Sequence, residues 1–197
     1  MRYLFLMGSP RKKGNTIQVV TPLMEALGAA GIETELIWLY DKQIAPCTAC
    51  RVCQKDWTSF SCRVHDDMYE IADKIMAADC IVFATPIYSW YCTAPMKAML
   101  DRLVYGLNKY YGEKWGPSLW TGKNAAVAVT CGYPVDKGAI VFEDGMKRYC
   151  KHSKLNLVGT LAIQATGVEI NNPFLTEEKM REIGSFAQTL VKAGKQQ

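Results

Sequence analysis

No apolar run in this 197-residue sequence approaches the roughly 18 residues of a membrane-spanning helix, so no membrane association is expected. Histidine is scarce: only His65 and His152 occur, both expected at the surface, and no Ser-His-Asp or paired-carboxylate arrangement suggests acid-base catalysis. No stretch rich in proline, glycine or serine divides the chain and no segment repeats, so residues 1–197 are expected to form a single domain. Charged residues make up 21% with a net charge of +4, and the basic ones are scattered apart from Arg11–Lys13 and Lys192 with Lys195. Such a balance calls for no nucleic-acid partner and suits small anionic ligands. The N-terminal apolar run, Tyr3–Met7, is far shorter than the core of a secretory signal, and a cytoplasmic protein is expected. In that reducing compartment the eight cysteines, at 47, 50, 53, 62, 80, 92, 131 and 150, are expected to pack, ligate or react rather than form disulfides.

The first 16 residues, MRYLFLMGSPRKKGNT, read as a strand, a loop and a helix start. Tyr3–Met7 has strand length, Gly8-Ser9-Pro10 breaks it, and a helical pattern begins at Asn15. Between them stand Arg11, Lys12 and Lys13, the hydroxyls of Ser9 and Thr16, and Gly8 and Gly14, where backbone can fold closely round a ligand. Such a loop suits a phosphate, because the first amides of a helix point outward unpaired and carry about half a positive charge. A basic, solvated turn is the plain alternative. Two phosphate motifs fail: for G-x-x-x-x-G-K-[ST], five residues separate Gly8 from Gly14 and Asn15 stands at the lysine position, and G-x-G-x-x-G is not met. The C-x5-R loop of low-molecular-weight phosphatases is excluded, since this loop has no cysteine.

Asn15 is placed to cap a helix running to about Ala30, with Ile17, Val20, Leu23, Met24 and Leu27 at helical spacing and a kink expected at Pro22. Ile32–Leu39 alternates as a half-buried strand, with Ile32, Thr34, Leu36 and Trp38 on one side. Asp67 and Glu70 read as a capping box opening a helix whose stripe is Met68, Ile71, Ala72, Ile75 and Met76. Cys80–Thr85 is apolar throughout, as a strand covered on both faces should be. A helix over Thr93–Leu103, an aromatic loop to Gly122, a strand over Asn124–Thr130, a weaker helix over about 137–151 and a strand over Leu155–Gln164 follow. The last element is a capped helix over Thr176–Ala193, with Met180, Ile183, Ala187, Leu190 and Val191 inward. Strands alternating with helices predict an α/β, three-layer α/β/α sandwich of flavodoxin-like type, with a five-stranded parallel sheet of order 2-1-3-4-5. In that order the ligand crevice opens between strands one and three, beside the Gly8–Thr16 and Thr85–Tyr91 loops.

The pattern G-S-x-R-x-x-x-[NS]-[ST], met by Gly8, Ser9, Arg11, Asn15 and Thr16, resembles the phosphate loop of the flavodoxin-like NAD(P)H-dependent FMN reductases. Pro86-Ile87-Tyr88, followed by Met96-Lys97 and Asp101-Arg102, is similar to a second segment of that family, and the resemblance covers nearly the whole chain. It implies that Ser9, Arg11, Lys13, Gly14, Asn15 and Thr16 bind the FMN phosphate. It implies likewise that Pro86, Ile87, Tyr88, Ser89 and Trp90 surround the isoalloxazine, with Thr130, Cys131 and Gly132 at its far edge. The chemistry would be the flavin's, with no separate catalytic residue. NAD(P)H would be the substrate, a quinone, flavin, nitro, azo or similar small molecule the acceptor, and a homodimer or homotetramer the assembly.

Residues 40–66 form a long irregular stretch holding Cys47, Cys50, Cys53 and Cys62, spaced C-x2-C-x2-C-x8-C. The set resembles the compact cysteine motif of the iron-sulfur flavoproteins, which hold a 4Fe-4S cluster, although the closing gap here is longer than in that pattern. Ordinary thiols are the other reading, and zinc fits less well because its structural sites pair two separated C-x2-C knuckles. Cys80, Cys92, Cys131 and Cys150 lack ligand spacing and are expected to pack. The leading expectation is thus an FMN-dependent oxidoreductase, and the alternative a cluster-bearing electron carrier. A nucleotide-binding module without redox chemistry would be colourless.

Overall fold

Alternating apolar side chains on β1 (Arg2–Met7) decide how the chain is layered. Leu4 and Leu6 point into one core and Tyr3, Phe5 and Met7 into another, so both faces of the strand must be covered. The computed structural model describes residues 1–165 and 172–196. In it α1 (Asn15–Ala29), β2 (Glu33–Trp38), α2 (Met68–Ala77), β3 (Cys80–Pro86) and α3 (Ala94–Leu107) follow β1. After these come β4 (Asn124–Cys131), α4 (Val135–Gly138), α5 (Ile140–Ser153), β5 (Asn156–Gln164) and α6 (Glu177–Gly194). Every strand pair is parallel and the order is β2-β1-β3-β4-β5, as the alternation of strands and helices predicts. No helix among the described residues is long and apolar enough to cross a membrane.

The first core gathers α2, α3 and α5 through Met68, Ile71, Ile75, Met96, Met99, Leu103, Phe142 and Met146. On the opposite face α1 and α6 contribute Val20, Leu23, Leu27, Ile183, Phe186 and Leu190. At about 1.5–3 kcal/mol for each fully buried apolar side chain, these two faces are the main force holding the three layers. β3 and β4 are buried at every residue, which is why their sequences show no polar alternation.

Several local expectations are corrected. Asn15 does not cap α1: Gly14 occupies that position in extended conformation, and Asn15 is the first helical residue. The Asp67 side chain does not cap α2, because its backbone is already helical and its carboxylate accepts the Gln43 amide at 2.7 Å. Asp66 takes the role instead, accepting the Met68 amide at 3.2 Å. At β2 the expected sidedness holds, with Ile32, Leu36 and Trp38 packing against the second core, while Ile37, the deeply buried residue of the strand, faces the first. The weak helix splits at Ala139 into α4 and α5. At α6, Thr176 caps as expected, accepting the Lys179 amide at 3.3 Å, but Met180 is 44% exposed and Val191 only partly buried.

Candidate functional site

Three strand ends meet at one edge of the sheet. The Gly8 amide donates to the Ala84 carbonyl at 2.7 Å, and the Thr93 hydroxyl, just before α3, donates to the Gly8 carbonyl at 2.6 Å. From the other side, Thr16 and Thr130 join hydroxyl to hydroxyl at 2.8 Å and the Ile87 amide donates to the Thr130 carbonyl at 2.8 Å. The loops after β1, β3 and β4 are therefore tied together at one end of the sheet.

Within the first loop, the Arg11 amide donates to Ser9 Oγ at 3.2 Å and the Gly14 amide to the Arg11 carbonyl at 3.2 Å. Arg11 lies over Gly14, where an added Cβ would stand 2.9 Å from Arg11 Cβ, so glycine is needed for the turn to close. Ser9 and Thr16 are buried and Lys13 is exposed. Lys12 turns away to pair with Asp41 and stands 4.0 Å over the Trp38 ring, which separates it from the other loop cations. Asn15 Oδ1 is buried with no partner among the described residues. Such an oxygen suits a ligand hydroxyl, and the amide turned by half a rotation offers its N–H groups to a phosphate. These features fit the phosphate and ribityl end of FMN.

The second loop makes a tight turn in which the Tyr88 and Tyr91 backbones bond each other reciprocally at 2.8 and 3.0 Å. Its two middle residues, Ser89 and Trp90, have φ of +48° and +64°, a strained choice for side chains larger than glycine. The turn holds Trp90 outward, 52% exposed and parallel to Tyr133 with ring centroids 6.2 Å apart. Ile87, Ser89, Cys131, Gly132 and Gly138 line the hollow beneath this pair. Burial pushes the Cys131 thiol up, which keeps it protonated and inert.

At the far end of α3 the four spaced cysteines border one small cavity together with Arg51, Arg63, Arg102 and Tyr105. Ala49 and Arg51 adopt φ of +54° and +59°, and alternation of this kind turns successive amides inward to make a concave site for an anion. The Ala49 amide donates to Cys47 Sγ at 3.4 Å. Exposed Cys50 is held below the usual thiol range, chiefly by the Val52 amide, with Thr48 and the Arg63 charge adding. Burial pushes Cys53 up despite the nearby Lys109 charge. Among the described residues no three His, Cys, Asp or Glu side chains converge on the point a single ion would occupy. A 4Fe-4S cluster makes a different demand, since each thiolate binds its own iron round a cube. A cavity ringed by four thiols, inward amides and cations fits that demand.

The longer closing gap is folded rather than slack. Asp56 accepts from the Thr58 amide at 2.8 Å, the Thr58 hydroxyl at 2.6 Å and the Ser59 hydroxyl at 2.8 Å, and Ser61 Oγ donates to the Cys53 carbonyl at 3.2 Å. Phe60 is 7% exposed and lies so close to α3 that a Cβ on Gly106 would stand 2.4 Å from its ring. Buried Gln54 donates to the Tyr105 and Asn108 carbonyls at 2.6 and 3.2 Å. Lys109, 0% exposed, donates to the carbonyls of Cys53 and Ser59 at 3.0 Å each and to that of Gly106. Arg102 pairs with Asp66 and donates to the Val64 carbonyl at 2.9 Å and the Ala45 carbonyl at 3.3 Å. Gln54, Lys109 and the Asp66 partnership were not among the expected site residues. The cue at 109 is slight, a lysine between Asn108 and Tyr110 in an aromatic run.

The profile of the NADPH-dependent FMN reductase family matches residues 1–150. An iron-sulfur flavoprotein of Archaeoglobus fulgidus is 31% identical over 172 residues, covering 79% of this chain and 77% of its own. Another, from Methanocaldococcus jannaschii, is 37% identical over 102 residues, a match spanning 52% of this chain and 51% of the relative. In fold the chain is similar to an NAD(P)H:quinone oxidoreductase from Methanothermobacter marburgensis, with a TM-score of 0.71 at 20% identity over 96% of this chain and 98% of that one. Sheet order, crevice and profile match agree, and the chain belongs to the NADPH-dependent FMN reductase family, an oxidoreductase family built on FMN.

Proposed function

We propose that the chain is an FMN flavoprotein that also carries a 4Fe-4S cluster on Cys47, Cys50, Cys53 and Cys62, and passes electrons between one-electron carriers and a small-molecule acceptor. The observation that carries this reading is the cysteine cavity: four spaced thiols face one hollow whose backbone is held in a costly left-handed form at Ala49 and Arg51. When bound, FMN supplies paired or single electron transfer and the cluster supplies single electrons. Ser9, Arg11, Lys13, Gly14, Asn15 and Thr16 would hold the phosphate and ribityl chain, and the Pro86–Trp90 and Thr130–Gly132 segments the ring. The chain's own part is to orient both groups and keep them apart. α3 does this, since Thr93 anchors the crevice and Arg102 borders the thiols nine positions later, a helical rise of about 14 Å.

A second reading, a direct NAD(P)H:acceptor reductase, is favoured by the exposed, parallel Trp90 and Tyr133 rings, which offer flat faces to a nicotinamide or quinone. Anaerobic reduction separates the two. The cluster-bearing carrier is rapidly reduced by a viologen radical and slowly by NADH or NADPH, whereas rapid stoichiometric reduction by either nicotinamide favours the reductase. A cytoplasmic setting, which keeps such thiols reduced, and assembly as a homodimer or homotetramer complete the reading. Trp115, 73% exposed and stacked on Tyr110 with centroids 4.6 Å apart, offers an apolar contact for that assembly.

The Arg11→Ala protein is expected to fold normally and bind FMN about ten- to a hundredfold more weakly, because a charge-assisted contact to phosphate contributes about 1.5–3 kcal/mol. Titration of apoprotein with FMN measures this. Equal dissociation constants would remove Arg11 from the site.

A further inference from the structure

We infer that Lys109 is a fixed counter-charge to the cluster, an inference that rests on the reading of the cysteine loop given above. Lys109 is 0% exposed, and among the described residues no carboxylate forms an ion pair with it. The acidic groups whose charge it feels are the Cys53 thiol first and then Asp56, whose oxygens already accept from Thr58 and Ser59. A buried ammonium without a counter-ion is strongly disfavoured, and three backbone carbonyls satisfy its protons without neutralising it.

What lies beside it is the thiol set. One of its acceptors is the carbonyl of Cys53, at 3.0 Å, and the buried Cys53 thiol lines the cavity. Arg102, 2% exposed, stands in the same cavity wall with its Nε–H buried and without a partner among the described residues. Arg102 thus borders the four thiols, and Lys109 stands behind one of them, Cys53. A 4Fe-4S core with four thiolates carries a net negative charge that grows on reduction, so a cation held against it in a low-dielectric setting favours the reduced form. Lys109 is therefore a positioning and tuning residue: it pins the Cys53 turn through hydrogen bonds and raises the reduction potential through its charge.

The test compares full-length FMN-loaded parent, Lys109→Gln and Lys109→Arg, all reconstituted anaerobically with iron and sulfide. Iron and labile sulfide are measured, and the midpoint of cluster reduction is followed by electron paramagnetic resonance. Glutamine keeps N–H donors without charge, and arginine keeps both. The expected result is a cluster in Lys109→Gln that reduces at a more negative potential, with Lys109→Arg near the parent. Loss of iron in the glutamine variant with retention in the arginine variant also supports the charge. Variants that behave alike, whether both keep the parent's potential or both lose iron, overturn it. A parent that holds no iron after reconstitution instead overturns the cluster reading itself, and the inference falls with it.

Discussion

The Cys50→Ser protein, isolated without oxygen, is expected to lose nearly all its iron and acid-labile sulfide while retaining FMN. Cys50 is the exposed member of the four, so its replacement opens no cavity in the core and leaves folding intact. The Val52 amide also holds its thiol below the usual range, toward the thiolate a metal requires. A serine oxygen is a harder, poorer ligand, and a cube missing one thiolate is exposed to solvent at that corner. FMN should survive because its crevice is at the other end of α3. Full iron in Cys50→Ser would remove that residue from the ligand set, and loss of FMN together with iron would show that the two sites are not independent.

Arg102→Ala is expected to destabilise the protein by about 3–5 kcal/mol, the range for removing one member of a buried ion pair. Its side chain and that of Asp66 are only 1% and 8% exposed, and Arg102 also satisfies two loop carbonyls. Burial works against the charged Asp66 carboxyl, but hydrogen bonds from Arg102 and from the Ala45 and Met68 amides outweigh it, and the group titrates below its usual range. A carboxyl lowered in the folded state contributes stability that is complete above its unfolded value, near 3.9, and is lost as pH falls through the lower folded value. The stability gap between parent and Arg102→Ala should therefore be widest near neutrality and narrow in acid below about pH 4. Urea unfolding at pH 7 and in that acid range measures both. A gap under 1 kcal/mol at pH 7 would mean that the pair does not fasten the loop.

The layered fold was legible because apolar periodicity is a local signal. The apolar run of β1 and the stripes of α2 and α3 each lie within a few adjacent turns, and the sheet order followed from the alternation of strands with helices. The errors arose where neighbouring side chains compete. Asp66 and Asp67 are adjacent carboxylates, and which of them caps α2 depends on Gln43, an amide far back in the chain that claims Asp67. Lys109 is harder still, since two of its carbonyl partners lie 50 and 56 residues away and nothing near it in sequence marks a lysine as buried. The longer gap before Cys62 carries no local signal of its packing, because what fixes Phe60 is Gly106, 46 residues on in α3, making room for its ring.

The most direct test of the account is the composition of the parent protein purified without oxygen: FMN, iron and acid-labile sulfide per chain. The account predicts one FMN with about four irons and four sulfides. One FMN per chain with no iron, persisting after anaerobic reconstitution with iron and sulfide, would contradict it and leave the direct NAD(P)H reductase as the function.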